Sequence, residues 1–270
     1  MRNLKHYSIL IIALLFYSVS IHSQNDKAPT LKGKKIIYVF GGWEGHSPKQ
    51  SVDVIVPKLR AAGADVKVFD NLDVYTDKKI MDNTDLIIQI WTMGEITKAQ
   101  FSGLESAIIS GTGFSGWHGG LGDAFRDNLK YQFMVGGQFI FHPGGKIDYK
   151  INIIDKNDPI TKDIGDFNLK NTEQYYMLVD PNTKVLAVSE FVKDRYEKPG
   201  KKEINVTGSV MPVVWKKNYG KGRVFYSSIG HFMKDFDVPE VIKIQMRGFA
   251  WASEAKFHLK ENLISPVYKK

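Results

Sequence analysis

The chain has 270 residues, 43% of them hydrophobic and 24% charged, with a formal net charge of +8. That much apolar material can enclose one large core, and the lysines fall singly or in pairs such as Lys34-Lys35, Lys216-Lys217 and Lys269-Lys270, without a basic helix, so a nucleic-acid partner is not expected. The absence of cysteine excludes disulfides, thiolate metal sites, a cysteine nucleophile and a lipid-modified cysteine anchor.

At the amino terminus, Arg2 and Lys5 precede an apolar run from Ile9 to Tyr17, the charged-then-apolar layout of a secretory signal. The run is shorter than the about 20 residues that span a bilayer, and cleavage is expected after Ser23. Loss of Arg2 and Lys5 with the signal lowers the formal charge from +8 to +6. The reading is therefore a signal peptide over 1–23, an extension over 24–33, one α/β domain over 34–255 and a tail over 256–270. The mature protein is expected to be secreted or periplasmic, with no membrane span.

Lys35 to Phe40 is a continuous apolar run ending in Gly41-Gly42, as a buried parallel strand does where it meets a loop. Ser47 and Pro48 read as the start of a helix whose stripe is Val52, Ile55, Val56, Leu59 and Ala62. Pro57 lies inside it and predicts a distortion, since an interior proline costs about 3 kcal/mol. Strands follow at Asp65 to Phe69 and Asp85 to Trp91, a capped helix at Thr97 to Ile109, and a strand at Gly113 to Trp117. Strand and helix in regular turn imply a doubly wound, mainly parallel sheet with helices on both faces. Beyond residue 145 the pattern changes to strands at Tyr149 to Ile154, Lys184 to Phe191 and Val213 to Trp215. Asn218 to Gly222 reads as a hairpin turn into Arg223 to Ile229, and Pro239 to Ala252 as a final helix.

In an open α/β sheet the ligand crevice lies outside the carboxyl ends of the strands. Polar residues just after strands are therefore the candidates: Trp43 and His46, His118, Glu173 with Tyr175 and Tyr176, and His231. Gly116-Trp117-His118-Gly119-Gly120 has the shape of a nucleophile elbow, with imidazole in place of serine or cysteine. The Gly119 and Gly120 amides could hold an oxyanion or a sugar hydroxyl. His118, Glu173 and His231 are the candidate acid, base or catalytic groups. His46, His118 and His231 supply enough imidazole for a divalent metal such as zinc, although no tight His-x-x-x-His spacing marks one. Trp43, Trp117, Tyr175 and Tyr176 suit the faces of a sugar ring. His142, in Pro143-Gly144-Gly145, reads as a surface-loop residue that could close over the crevice.

Gly116 to Gly120, the stretch Thr172 to Tyr176, Pro212 to Trp215, and Tyr219-Gly220-Lys221-Gly222-Arg223-Val224-Phe225-Tyr226-Ser227-Ser228-Ile229-Gly230-His231 together resemble the ThuA-like family, named for trehalose utilisation. The likeness runs over about residues 34 to 255. It implies a flavodoxin-like sheet similar to class I glutamine amidotransferases, with His118 where those enzymes keep a cysteine, so amidotransferase chemistry is excluded. It also implies a small-molecule carbohydrate substrate, in particular a 3-keto glucoside made by a partner sugar oxidoreductase, and no nucleotide cofactor. Where many relatives carry an acidic residue before the glutamate, this chain has Thr172, so Glu173 would act alone. The expected activity is hydrolase- or lyase-like cleavage or rearrangement of a keto sugar. The rival readings are a carbohydrate-binding or scaffold protein without turnover, and a hydrolase using Ser227 or Ser228.

Overall fold

The structure, a computed structural model, describes residues 28–192, 206–258 and 260–265. The expected signal segment lies outside the described residues. Among these, no helix is long and apolar enough to cross a membrane.

The first half alternates as expected: β1 (Lys35–Gly42), α1 (Pro48–Ala61), β2 (Asp65–Phe69), α2 (Lys78–Asp82), β3 (Leu86–Thr92), α3 (Lys98–Ile109) and β4 (Gly113–Trp117). Thr97 and Gln100 form a reciprocal capping box at the start of α3, which satisfies two backbone donors that a helix start leaves open. Pro57 does not break α1. It sits on the exposed face of the helix, where the carbonyl deprived of its partner can be hydrated.

After β4 come α4 (His118–Gly122), α5 (Leu129–Val135), β5 (Gly137–Phe141), β6 (Lys146–Ile153), β7 (Phe167–Glu173), β8 (Tyr176–Val179), β9 (Lys184–Glu190), β10 (Val210–Tyr219), β11 (Gly222–Ser227) and α6 (Pro239–Ser253). Nine strands form one sheet in the order β2-β1-β3-β4-β11-β10-β9-β6-β7, and β5 pairs with β8 separately. The β2-β1-β3-β4-β11 half is parallel and has the flavodoxin-type order. The rest is an antiparallel extension joined through the β10–β11 hairpin.

Period-two alternation sorts each strand's side chains onto two faces. Ile36 and Tyr38 of β1 pack with α1 and α6 through Ile55, Leu59, Ile244 and Phe249. Ile37 and Val39 pack on the other face with α3 and α5 through Leu104, Ile108, Tyr131 and Met134. Gly248 brings α6 onto the sheet, since a Cβ there would lie 2.1 Å from the Phe225 ring.

The described part of the tail is fastened to the antiparallel side. Glu261 receives Arg223 and the Trp251 indole N–H, both at 3.0 Å, and its carbonyl accepts from Asn218 at 2.7 Å. Beneath it, the buried Lys216 ammonium lies 2.7 Å from Asp158, which also meets Lys184 at 3.1 Å.

Candidate functional site

Strand order places the carboxyl ends of β1, β3, β4 and β11 side by side, and a histidine follows three of them. His46 closes a short 3-10 turn after β1, its Nδ1 2.9 Å from the Thr92 hydroxyl at the end of β3. His118 directly follows β4 in the left-handed region, at φ 47°, a conformation that costs a non-glycine residue about 1–3 kcal/mol. Two bonds fix the elbow: the Tyr226 hydroxyl donates to the His118 carbonyl at 3.0 Å, and His118 Nδ1 donates to the Ser228 carbonyl at 2.8 Å. His231 follows β11. Glu173 comes from the outermost antiparallel strand, as the last residue of β7, three residues before β8 begins.

The carboxylate lies at the centre. Glu173 Oε2 is 3.2 Å from both His118 Nε2 and His231 Nδ1, and Oε1 is 3.6 Å from His142 Nε2. The His46 ring centroid is 4.8 Å from that of His118 and 5.3 Å from that of His231. Burial, and then the neighbouring imidazoles, lower the pKa of His46 from 6.5 to about 3. Burial likewise lowers that of His118, against the raising effect of Glu173. Burial also opposes ionisation of Glu173, but the facing His118 and His231 imidazoles outweigh it and hold the carboxyl well below its ordinary range.

A positive charge between these groups, from a proton or a metal ion, would reconcile them. Because a carbonyl can only accept, His118 Nδ1 must carry a proton, so in the neutral ring favoured by burial Nε2 turns a lone pair toward a carboxylate. His231 Nδ1 is buried without a hydrogen bond, although it lies 3.2 Å from the same carboxylate oxygen. A divalent ion would satisfy both. One ligand atom from each of His46, His118, Glu173 and His231 lies within 4.8 Å of the others, and the 3.2 Å pairs match the about 3.3 Å that separates ligands of a tetrahedral zinc with bonds of about 2.0–2.1 Å. The Nδ1 bond from His118 to a carbonyl is the orienting contact typical of a metal-ligating histidine. The donor set fits a borderline ion such as zinc.

Proton linkage gives this arrangement a testable acid sensitivity. Groups with depressed pKa leave the unfolded chain binding protons that the folded chain refuses. Stability is thus intact above about 6.5 and lost as the pH falls from there toward about 3. In chelator, the melting temperature is expected to fall steadily from pH 7 to 4, and less steeply in His46→Gln; parallel profiles for the two proteins would contradict the assignment.

The other expected contacts divide. Trp43 is 48% exposed with its ring against His46, and so keeps a face open at the mouth. Gly119 borders the cluster: a Cβ there would lie 2.5 Å from the His46 ring. Gly119→Ala is therefore expected to displace His46 and weaken zinc binding by about 10–100-fold, as loss of ligand orientation does, measured by titration against a chromophoric chelator.

Three expectations need correction. Trp117 is buried on the opposite face of the sheet, packed on Phe236 and Phe249, because the turn at His118 sends neighbouring side chains apart. Tyr175 is 3% exposed and stacks on His118 at 3.9 Å, so it seats the histidine and offers no face to a sugar. Tyr176 is half-buried against Phe191, outside the cluster. Gly120 approaches Ile90, where a Cβ would lie 2.8 Å from the Ile90 Cα. Thr172 turns away from Glu173 and donates to Asp235 at 2.7 Å; Asp235 also accepts the Phe232 amide, bracing the loop that carries His231.

Sequence reasoning undervalued His142, whose ring lies parallel to Phe141 beside Glu173. It missed Thr92 and the Ser228 carbonyl, which orient two of the imidazoles. A polar residue ending β3, next to the strand that precedes His46, was the available signal for Thr92.

A family model described as ThuA, trehalose utilisation, matches residues 35–252. Among solved structures, the fold is similar to a ThuA-like protein from Bacteroides uniformis (TM-score 0.66, 18% identity, 86% of this chain and 95% of that one). It is similar to another from Parabacteroides merdae (TM-score 0.67, 16% identity, 85% and 93%). A cytoplasmic protein from Salmonella typhimurium shares it more loosely (TM-score 0.54, 13% identity, 82% and 98%). No curated protein sequence matches significantly.

Proposed function

Since the chain belongs to the ThuA, trehalose utilisation, family, we propose that it is an exported sugar-processing enzyme that cleaves or rearranges a keto sugar, such as a 3-keto glucoside, with a divalent metal held by His46, His118, Glu173 and His231. The observation that carries this reading is the convergence of three imidazoles on one carboxylate at the ends of the parallel strands.

A carbonyl on a sugar ring acidifies the neighbouring C–H, which makes elimination of a glycosidic oxygen feasible. A bound divalent ion would polarise that carbonyl and stabilise negative charge developing on its oxygen. The chain itself supplies the proton handling. Glu173 turns Oε1 toward His142 and away from the buried imidazoles, so the carboxylate orients His142, the base that takes the C–H proton and returns it to the leaving oxygen. Trp43 offers an apolar face to the ring. The keto group would come from a sugar oxidoreductase acting earlier.

The test is to incubate the chain lacking residues 1–23 with a 3-keto glucoside and its parent glucoside, with and without chelator, and to follow free sugar. Release from the keto form alone, abolished by chelator, is expected. Release from neither would overturn the proposal, and binding of both without release would favour a carbohydrate-binding protein.

A further inference from the structure

Lys146 and Lys234 are exposed, and among the described residues neither has a carboxylate within ion-pair distance. Each ammonium nevertheless lies 4.9 Å from the centre of the same ring, that of Phe232. The two are therefore no more than twice that distance apart, close enough for one anion to be attracted to both.

Their position is tied to the site. Lys146 is paired directly opposite Glu173 in the β6–β7 ladder, and directly opposed residues project from the same face. A lysine and a glutamate so placed would ordinarily form an ion pair. Here the imidazoles occupy the carboxylate, and the Lys146 ammonium reaches over Phe232 instead. The Phe232 ring stands edge-on to that of His231 at 4.2 Å, so the lysine pair borders the cluster. The loop between them is held by the Phe232 amide bond to the buried Asp235.

We propose that Lys146 and Lys234 form an anion subsite beside the cluster, and that the sugar taken by this protein carries a negative group, a carboxylate or a phosphate ester, away from its reacting carbonyl. This rests on the sugar-processing reading above. A half-buried aromatic ring beside two ammonium groups suits such a ligand, because its open part gives the carbon skeleton an apolar wall and the cations are free to bind the charged end.

The zinc-loaded protein would be titrated calorimetrically with D-glucuronate, D-glucose 6-phosphate and D-glucose at low ionic strength. At least one charged sugar is expected to bind about tenfold or more tightly than glucose, with the advantage shrinking as salt is raised; the stronger of the two identifies the anionic group. In the double variant Lys146→Gln/Lys234→Gln the advantage should fall to less than about threefold while zinc uptake remains one per chain, which shows that the fold is intact. Equal binding of all three sugars, or a preference that survives in the double variant, would overturn the subsite and leave the sugar site standing. Binding of none would overturn both.

Discussion

Glu173→Gln is expected to lower turnover by about a hundredfold or more and to abolish stoichiometric zinc uptake. The amide matches the carboxylate in shape, but it removes the charge on which His118 and His231 converge and places an N–H donor or a weaker acceptor at the same point. The measurements are zinc per chain after dialysis and release of sugar from a keto glucoside, each beside a circular-dichroism control for folding. Near wild-type zinc content would show that the three imidazoles suffice. Wild-type turnover would remove Glu173 from the chemistry.

Asp158→Asn is expected to cost about 3–5 kcal/mol of stability, the usual result of leaving a buried charge uncompensated. Lys216 is 2% exposed and, among the described residues, keeps one carboxylate, Glu261 at 3.4 Å, and the Trp251 ring at 4.7 Å once the Asp158 charge is gone. The 2.7 Å contact between Lys216 and Asp158 has poor hydrogen-bond angles, but charge attraction depends on distance and survives them. For a chain of this size the melting temperature should fall by roughly 10 °C or more, with the zinc site retained in the folded fraction. A change of less than about 1 kcal/mol would mean that Lys184 and solvent compensate the pair.

The parallel half was legible because an apolar, β-branched run bounded by glycine leaves few alternatives for Lys35 to Phe40, because Gly113 to Trp117 runs into the Gly119-Gly120 turn, and because such strands present polar residues at their carboxyl ends. His46, His118 and His231 follow from that rule alone. The β5–β8 pair was not legible, since two short strands far apart in the chain carry no turn that links them. Trp117 and Tyr175 were misread for another reason. An aromatic residue is equally at home against a sugar or in a core, and only the direction in which the backbone leaves His118 decides between them. His142 was discounted because its glycine-rich surroundings resemble any surface turn, whereas its importance lies in a partner from another strand.

The cluster draws its members from both halves of the sheet, with His118 bonded to a carbonyl 110 residues away and facing a carboxylate 55 residues away. The parallel half supplies the three imidazoles and the antiparallel extension the carboxylate, so the four donors meet only when both are in place. The entropy of bringing these segments together is met by the folding of the whole chain, not by the ligand. A nascent or truncated polypeptide would thus leave trace metals to other proteins, and ion capture would mark the moment at which assembly of the sheet is complete.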